Sequence, residues 1–560
     1  MRFGLLKTSG LQPEDAAGHE HNPSWLSQAT WAFIALGVLL RVFRYALNYP
    51  LWGDESYVAA NLIGRGYLDL LRPLDFAQVC PLLFLWIEHA IVANAGFSEW
   101  SLRLFPMVCS VASVPLFAYT ASRVVRGVPL LLAVAIFAIS FHPVRHAAEV
   151  KPYASDLLVA LGLLALALGW LKAQEHTGRL WLLVVLAPVA VAVSFPAIFV
   201  AGAVSLGLVV SVWKTKRWQA WLPLILFNLA AVGTFGGLQL IKFGAQNKWT
   251  LIGLQAYWAS SFPPLGDPVK LLRWLVWVHT GTLFAYPGGG QGGASAPTFL
   301  LFLIGTVVLW RGRHRAVLVT CLAPFGLTLM AAALRRYPYG GEARQMQFVA
   351  PSICLLAGLG AATLLRVIPW PRARSWTLAS GVALGIVAAA GMLVNDVARP
   401  YRYLQDHRAR EFARRFWPEQ ARDAEVACLR WDFKILDPRS ANLWAASYFC
   451  NQWIYLPPRR TGGPRWETIS ASHPLRCMLY NQTPVDEPAV AAWLTGMQSV
   501  FELRRCERIQ MTFDHSRPAA GMWSLVMYEF VPRSRQNPPP IAGRTDPGIR
   551  GASAESLKLR

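Results

Sequence analysis

Apolar residues fall in long blocks nearly free of charge: 29–47, 102–122, 128–144, 153–171, 180–212, 219–241, 296–310, 316–334, 345–365 and 375–394. A hydrocarbon core about 30 Å thick is crossed by about 20 such residues in a helix. Backbone polar groups at that depth must be satisfied within the segment or in a closed barrel. The blocks lack the apolar–polar alternation of barrel strands, so the pattern predicts helices. The 33 residues of 180–212 would reach about 50 Å as one helix, and Ser194-Phe195-Pro196 interrupts them. Two helices meeting near the outer face fit better. That predicts eleven spans, with the N-terminus inside and the C-terminus outside. The first block is flanked by Arg41 and Arg44 with no small-residue cleavage site after it, which reads as a retained helix and not a signal peptide.

Between the first two blocks, 48–101 carries two moderately apolar stretches, 56–71 and 81–95, each interrupted by charge. They are expected to form helices lying at the membrane interface. Beyond Asn395 the pattern changes to that of a water-soluble domain. Alternation at Val426–Phe433, Leu475–Tyr480, Phe501–Phe513 and Trp523–Val531 predicts strands, and helices are expected over 404–416 and 486–498. The expected organisation is a cytoplasmic tail (1–28), an all-α polytopic membrane domain (29–395), a small extracytoplasmic α+β domain (396–533) and a disordered Pro/Gly/Arg-rich tail (534–560).

Composition agrees with the blocks. The 560 residues are 54% hydrophobic and 15% charged, against about 25% charged in soluble domains. The net charge of +22 invites a nucleic-acid partner, but its distribution excludes one. Basic residues sit in short loops at block ends (Arg123 and Arg126; Lys172 and Arg179; Lys214, Lys216 and Arg217; Arg311, Arg313 and Arg315; Arg366, Arg372 and Arg374). Between positions 29 and 396 Glu175 is the one carboxylate in those loops, and the other acids fall in the alternate segments. By the positive-inside rule the basic loops face the cytoplasm and the acid-bearing segments face outward, in the cell inner membrane. The four cysteines of the outer domain, Cys428, Cys450, Cys477 and Cys506, permit two disulfides in three pairings or remain buried thiols. No Cys/His spacing suggests zinc, and no metal ligand set is assigned.

Three outward segments carry candidate chemistry. In Leu51-Trp52-Gly53-Asp54-Glu55-Ser56-Tyr57, two adjacent carboxylates follow the first span beside Trp52 and Tyr57. One reading is capping, with Asp54 as N-cap and Glu55 in the first turn. The other is functional, since desolvated carboxylates at membrane depth are costly. The second segment, His142–Tyr153, collects Arg145, His146, Glu149, Lys151 and Tyr153 at the outer mouth of two spans; Glu149 and Lys151 as a simple ion pair is its bland reading. The third, Arg335-Arg336-Tyr337-Pro338-Tyr339-Gly340-Gly341-Glu342-Ala343-Arg344, is a basic loop on the unexpected side. Guanidinium groups beside Gly-Gly suit a phosphate, whether of a substrate or of lipid head groups.

In these segments, and in their order over roughly 29–395, the chain resembles bacterial GT-C glycosyltransferases, among them protein O-mannosyltransferases and lipid A aminoarabinose transferases. The acidic pair of the first outer loop is matched by Asp54-Glu55, and a Pro-containing interfacial helix by Cys80-Pro81-Leu82-Leu83-Phe84. A motif entering a span is matched by Ser98–Arg103, and the later Glu-x-x-Pro-Tyr element by Glu149–Tyr153. The Tyr-Pro-Tyr-Gly-Gly stretch with its following Arg344 is also similar. Where aminoarabinose transferases carry basic residues, after the acidic pair and before the proline, this chain has Tyr57 and Cys80.

The resemblance implies transfer from a polyprenyl-phosphate sugar donor to a lipid, polysaccharide or protein acceptor hydroxyl outside the membrane. Asp54 would be general base, and Glu55 or Glu149 would orient the acceptor or stabilise the anomeric carbon. Arg344, with Arg335, Arg336 or Lys151, would neutralise the leaving phosphate, while Trp52, Tyr57, Arg145, Tyr153 and Tyr339 would line the substrate site. No cofactor is required, and a divalent cation on Asp54 is allowed without being demanded by the ligands visible. The competing class is a polytopic transporter or lipid-sugar flippase. It places charge near the bilayer midplane and repeats its halves, whereas here the acids lie in loops and no halves repeat.

Overall fold

A computed structural model of the chain describes residues 24–76, 78–242, 248–289, 295–420, 425–429, 445–455, 475–481, 487–511 and 523–533. The helices are α1 (Ser24–Ala46), α2 (Gly53–Ala59), α3 (Leu82–Ala95), α4 (Glu99–Ala121), α5 (Val128–Ala138), α6 (Phe141–Arg145), α7 (Tyr153–Lys172), α8 (Gly178–Val193), α9 (Ala197–Thr215) and α10 (Trp221–Lys242). There follow α11 (Lys248–Tyr257), α12 (Pro268–Thr280), α13 (Ala296–Arg311), α14 (Arg315–Ala333), α15 (Ala350–Val367), α16 (Pro371–Ala398), α17 (Leu404–Arg415), α18 (Ala445–Tyr455) and α19 (Glu487–Gln498). The strands are β1 (Glu425–Leu429), β2 (Leu475–Asn481), β3 (Phe501–Met511) and β4 (Trp523–Pro532).

The chain is a multi-pass membrane protein. Among the described residues, eight helices are long and apolar enough to cross a bilayer. Three shorter apolar helices, α5, α8 and α13, occupy the remaining blocks, and α8 and α9 are separated at Ser194–Pro196 as the run-length argument requires. One expected element fails. In place of a helix over 56–71, α2 ends at Ala59 and gives way to 3-10 turns at Ala60–Leu62 and Asp69–Leu71. Ile63 is extended and Gly64 takes φ +69°, a left-handed conformation that stops a right-handed helix and suits glycine.

The chain divides into two compact units. The first comprises Met1–Asn48, Arg65–Gly96 and Trp100–Arg399. Its helices pack α13 on α15, α9 on α14, α5 on α15 and α8 on α10. Backbones approach closely where side chains vanish: a Cβ at Gly305 would strike the Leu356 carbonyl, and one at Gly360 the Leu301 carbonyl. Small residues at such crossings are how membrane helices gain van der Waals contact, lipid being as apolar as leucine. Polar ties join α1 to its neighbours. The fully buried Arg41 donates from Nη1 to the carbonyls of Gly37 (2.7 Å) and Ala138 (2.9 Å) and from Nε to Ser110 Oγ (3.1 Å). Arg44 pairs with Asp396 of α16 at 2.9 Å.

The second unit comprises Tyr49–Gly64, Phe97–Glu99 and Pro400–Arg560. Its sheet has the order β1-β2-β4-β3, with β1 parallel to β2 and the other pairs antiparallel. Leu475, Cys477, Phe501, Val526, Tyr528 and Phe530 form a buried cluster against which Trp493 and Leu494 of α19 pack. Cys450 and Cys477 are buried free thiols, so the four cysteines of the C-terminal domain do not form the two disulfides their number permits. Cys477 lies in the sheet cluster, while Cys450 Sγ–H points at the Ser56 carbonyl (3.6 Å).

Candidate functional site

The predicted site residues fall into two groups, one in each unit. In the second unit, α2 opens at Trp52, whose backbone N–H donates to Glu55 Oε2 (3.3 Å). This cap is made by Glu55, 1% exposed, and not by Asp54. Asp54 therefore sits in the first turn, half-buried, with no part in the cap. Gly53 leaves room for the ring of Tyr57, whose hydroxyl would lie 3.3 Å from a Cβ there. Trp52 carries the Arg402 guanidinium 3.6 Å from its ring centre and meets Tyr403 at 6.1 Å. That stacking is a cation–π contact.

The rest of this group comes from the C-terminal segment. α18 packs on α2, with Cys450 against the Ser56 carbonyl. Tyr455 donates to Glu99 Oε1 (2.7 Å) and accepts from Arg414 Nε (3.2 Å). Burial pushes the Tyr455 phenol up, and the Glu99 carboxylate adds to the rise. Asp406 of α17 has an oxygen, Oδ2, shielded from solvent and without a hydrogen-bond partner. Burial holds its carboxyl well above the ordinary range, the negative charge of Glu55 raises it further, and Arg402 opposes them. Sequence reasoning missed Arg402, Asp406, Arg414, Cys450 and Tyr455. α17 reads locally as a charged, solvated helix, and nothing nearby in the chain marks its partner as a loop some 350 residues earlier.

In the first unit, α5 ends at Ala138 and the chain makes the single turn of α6 before α7 begins at Tyr153. The turn between them holds a buried pair, His146 Nδ1 to Glu149 Oε2, at 2.8 Å. Glu149 thus engages His146, and Lys151 donates from Nζ to Gln78 Oε1 (2.6 Å). The His146 ring meets Tyr153 edge-on at 5.5 Å, and the Arg344 guanidinium lies 6.0 Å from the centre of the Tyr153 ring. Lys151 and Arg344 are 8% and 6% exposed, and Tyr153 is buried with them. His142 lies parallel to His146 at 6.4 Å; burial, with His146 beside it, pushes its imidazole down to about 3, so it is neutral. Arg145 is half-buried in the same turn.

The arginine loop is divided by the fold. Arg335 and Arg336 are exposed and close the end of α14, their N–H groups donating to Ala332 and Ala331 carbonyls at 2.9 Å. Cations suit that helix end. Arg344 instead starts a buried turn, Ala343–Val349, and pairs with Glu342 at 2.7 Å. Tyr339 is buried and its hydroxyl donates to His279 Nε2 of α12 (3.1 Å), whose Nδ1 donates to the Leu275 carbonyl (2.7 Å). Burial holds His279 below its ordinary range, consistent with that neutral tautomer. Tyr339 therefore anchors the loop to α12, a helix the sequence pattern did not single out.

Two further buried acids, among the described residues, have carboxylate oxygens without a hydrogen-bond partner. Glu88 of α3 is fully buried, and neither of its oxygens has a hydrogen-bond partner; burial holds its carboxyl well up. Asp156, in the first turn of α7, is buried with Oδ1 unpartnered. Among the described residues no three His, Cys, Asp or Glu side chains are grouped to hold a metal ion.

No protein-family model matches the chain, and no curated protein sequence does. Solved structures do resemble it. ArnT from Cupriavidus metallidurans in the apo state matches with TM-score 0.51 and 13% identity over 90% of this chain and 98% of that one. The same protein bound to undecaprenyl phosphate matches with TM-score 0.49, 13% identity and the same coverage. The archaeal oligosaccharyltransferase AglB from Archaeoglobus fulgidus, in complex with an inhibitory peptide and a dolichol-phosphate, gives TM-score 0.43 and 10% identity over 92% of this chain and 75% of that one. The fold is that of the GT-C class of polytopic membrane proteins.

Proposed function

We propose that this protein is a glycosyltransferase that moves a sugar from a polyprenyl-phosphate-linked donor to an acceptor hydroxyl on the outer face of the cytoplasmic membrane. The observation that carries the reading is the buried cationic group of the first unit: Lys151 and Arg344, 8% and 6% exposed, near Tyr153. Buried cations cost free energy unless an anion or polar partners compensate them. Lys151 already has Gln78 and Arg344 has Glu342, and a phosphate entering from the bilayer surface adds oxygens that guanidinium binds in a fork. The fold supports the same reading, because ArnT, which it matches, has also been solved with undecaprenyl phosphate.

The chemistry divides accordingly. Asp54 takes the proton from the acceptor hydroxyl as its oxygen attacks the anomeric carbon, a general-base role. The bond from that carbon to the phosphate oxygen breaks, and Arg344 and Lys151 stabilise the charge gathering on the departing phosphate. Glu55 holds the first turn of α2, and so the aim of Asp54, through its cap on Trp52. Incubating the purified protein with polyprenyl-phosphate sugars should release polyprenyl phosphate, and Asp54→Asn should lower the rate by about 1,000-fold with folding intact. Equal turnover in Asp54→Asn would overturn the assignment.

One observation favours a second reading, a transporter or lipid-sugar flippase: the unpartnered, fully buried Glu88 carboxyl, of the kind that marks ion pathways. A flippase would translocate fluorescent lipid-linked sugar equally well with Asn at position 54.

A further inference from the structure

Among the described residues of the first unit, His146 and Glu149 form a buried acid–base pair that the roles above do not use. Its geometry is that of an oriented imidazole. Glu149 Oε2 engages Nδ1 at 2.8 Å, both side chains are buried, and the ring stands edge-on to Tyr153 at 5.5 Å. Tyr153 also has the Arg344 guanidinium within 6.0 Å of its ring, so imidazole and guanidinium share one aromatic neighbour. A carboxylate on one ring nitrogen fixes the tautomer, stabilises the imidazolium, and assigns the chemistry to the other nitrogen, Nε2.

We propose that His146 is a catalytic acid: its Nε2 proton passes to the phosphate oxygen that leaves the sugar, while Glu149 positions the ring. The inference rests on the glycosyl-transfer reading given above. The step balances without a further reactant. As the anomeric carbon–oxygen bond breaks, its electron pair stays on the phosphate oxygen, and a proton from imidazolium goes to the phosphate. The acceptor proton goes to Asp54, and solvent returns both groups to their starting states, so the product is polyprenyl hydrogen phosphate. A phosphate monoester dianion takes up a proton near pH 6, close to the range of imidazole, and such matched pairs transfer protons most efficiently.

Several groups bear on when His146 titrates. On its own segment stand His142, Arg145, Glu149 and Lys151. The elements packed around it add Tyr153 of α7, Arg344 of the 343–349 turn, and Arg41 and Arg44 of α1. Asp156 of α7 and Glu342, which pairs with Arg344, are further acids on these elements, but Glu149 is the one in contact with the His146 ring, so removing it has a definite sign.

The test is the pH dependence of polyprenyl phosphate release between about pH 5.5 and 8.5, measured on the full-length protein in lipid vesicles with a polyprenyl-phosphate sugar. The parent should lose turnover on an alkaline limb. His146→Asn should drop kcat about 100-fold near pH 6, with the donor KM within about threefold, and should flatten that limb. Glu149→Gln should keep the limb but move it to lower pH, because the imidazolium loses its counter-charge. An alkaline limb unchanged in both variants overturns the acid role, as does a loss confined to KM. If the parent releases no polyprenyl phosphate from any donor, the glycosyl-transfer reading itself fails, a result distinct from either.

Discussion

The two units hold their candidate chemistry by different means. In the first, helices approach through glycines until backbone meets backbone, as at Gly305 and Gly360, and the site residues project from turns fixed by those helices. In the second, a seven-residue helix bearing Asp54 is held by side-chain contacts: the Glu55 cap, Cys450 on Ser56, Arg402 on Trp52, and nearby the Tyr455–Glu99–Arg414 relay. A helix that short is not stable alone. The acidic segment therefore owes its shape to α17 and α18, drawn from the far end of the chain. The lesson is that packing geometry sets the first group and polar, titratable contacts set the second, so the two should respond differently to mutation and to pH.

The largest expected effect tests the packing side. Gly360→Leu forces a side chain into the Leu301 carbonyl and should cost about 3 kcal/mol or more, seen as a collapse in folded yield and melting temperature in detergent. A variant that melts like the parent would mean that α13 and α15 do not meet as described. Next comes Arg344→Ala, which should reduce turnover about 100-fold, while Arg335→Ala and Arg336→Ala stay within about twofold because both side chains are exposed. Equal losses from all three would return the phosphate site to the whole loop.

Smaller effects should appear in the second unit. Tyr455→Phe removes a hydrogen bond to a buried carboxylate and should cost about 2 kcal/mol in thermal unfolding. Asp406→Asn should do the opposite, and only at higher pH. The raised folded value of Asp406 means its contribution is fully present below about pH 4, the unfolded range, and is lost as pH climbs toward the folded value. The Asn variant should match the parent at acid pH and melt about 2–4 °C higher at pH 8. No gain at pH 8 would remove Asp406 from the neighbourhood of Glu55.

Much of the fold was legible because a bilayer leaves little choice. Unbroken apolar blocks must be helices, and the break at Ser194–Pro196 was readable from length alone. The strands showed through their alternation, with β2 and β4 found within two residues of their expected ends. The helix over 56–71 was misread because composition spoke for it while Gly64 turned the chain left-handed. α12 and α18 escaped notice, being short elements without a long apolar run. Within the site, Arg344 stood out in the sequence, but its separation from Arg335 and Arg336 did not, since three arginines in one loop look alike until one is buried. The contribution of α17 and α18 was invisible for a different reason. Contacts such as Cys450 to Ser56, 394 positions apart, follow from tertiary packing and leave no local periodicity.

Outer-face transfer requires position 54 on the non-cytoplasmic side of the membrane. Asp54→Cys, compared with the parent in intact cells, should react with a membrane-impermeant maleimide without permeabilisation, whereas Lys172→Cys should react only once the membrane is opened. Labelling of position 54 only after permeabilisation would put the carboxylate in the cytosol and contradict an outer-face transfer.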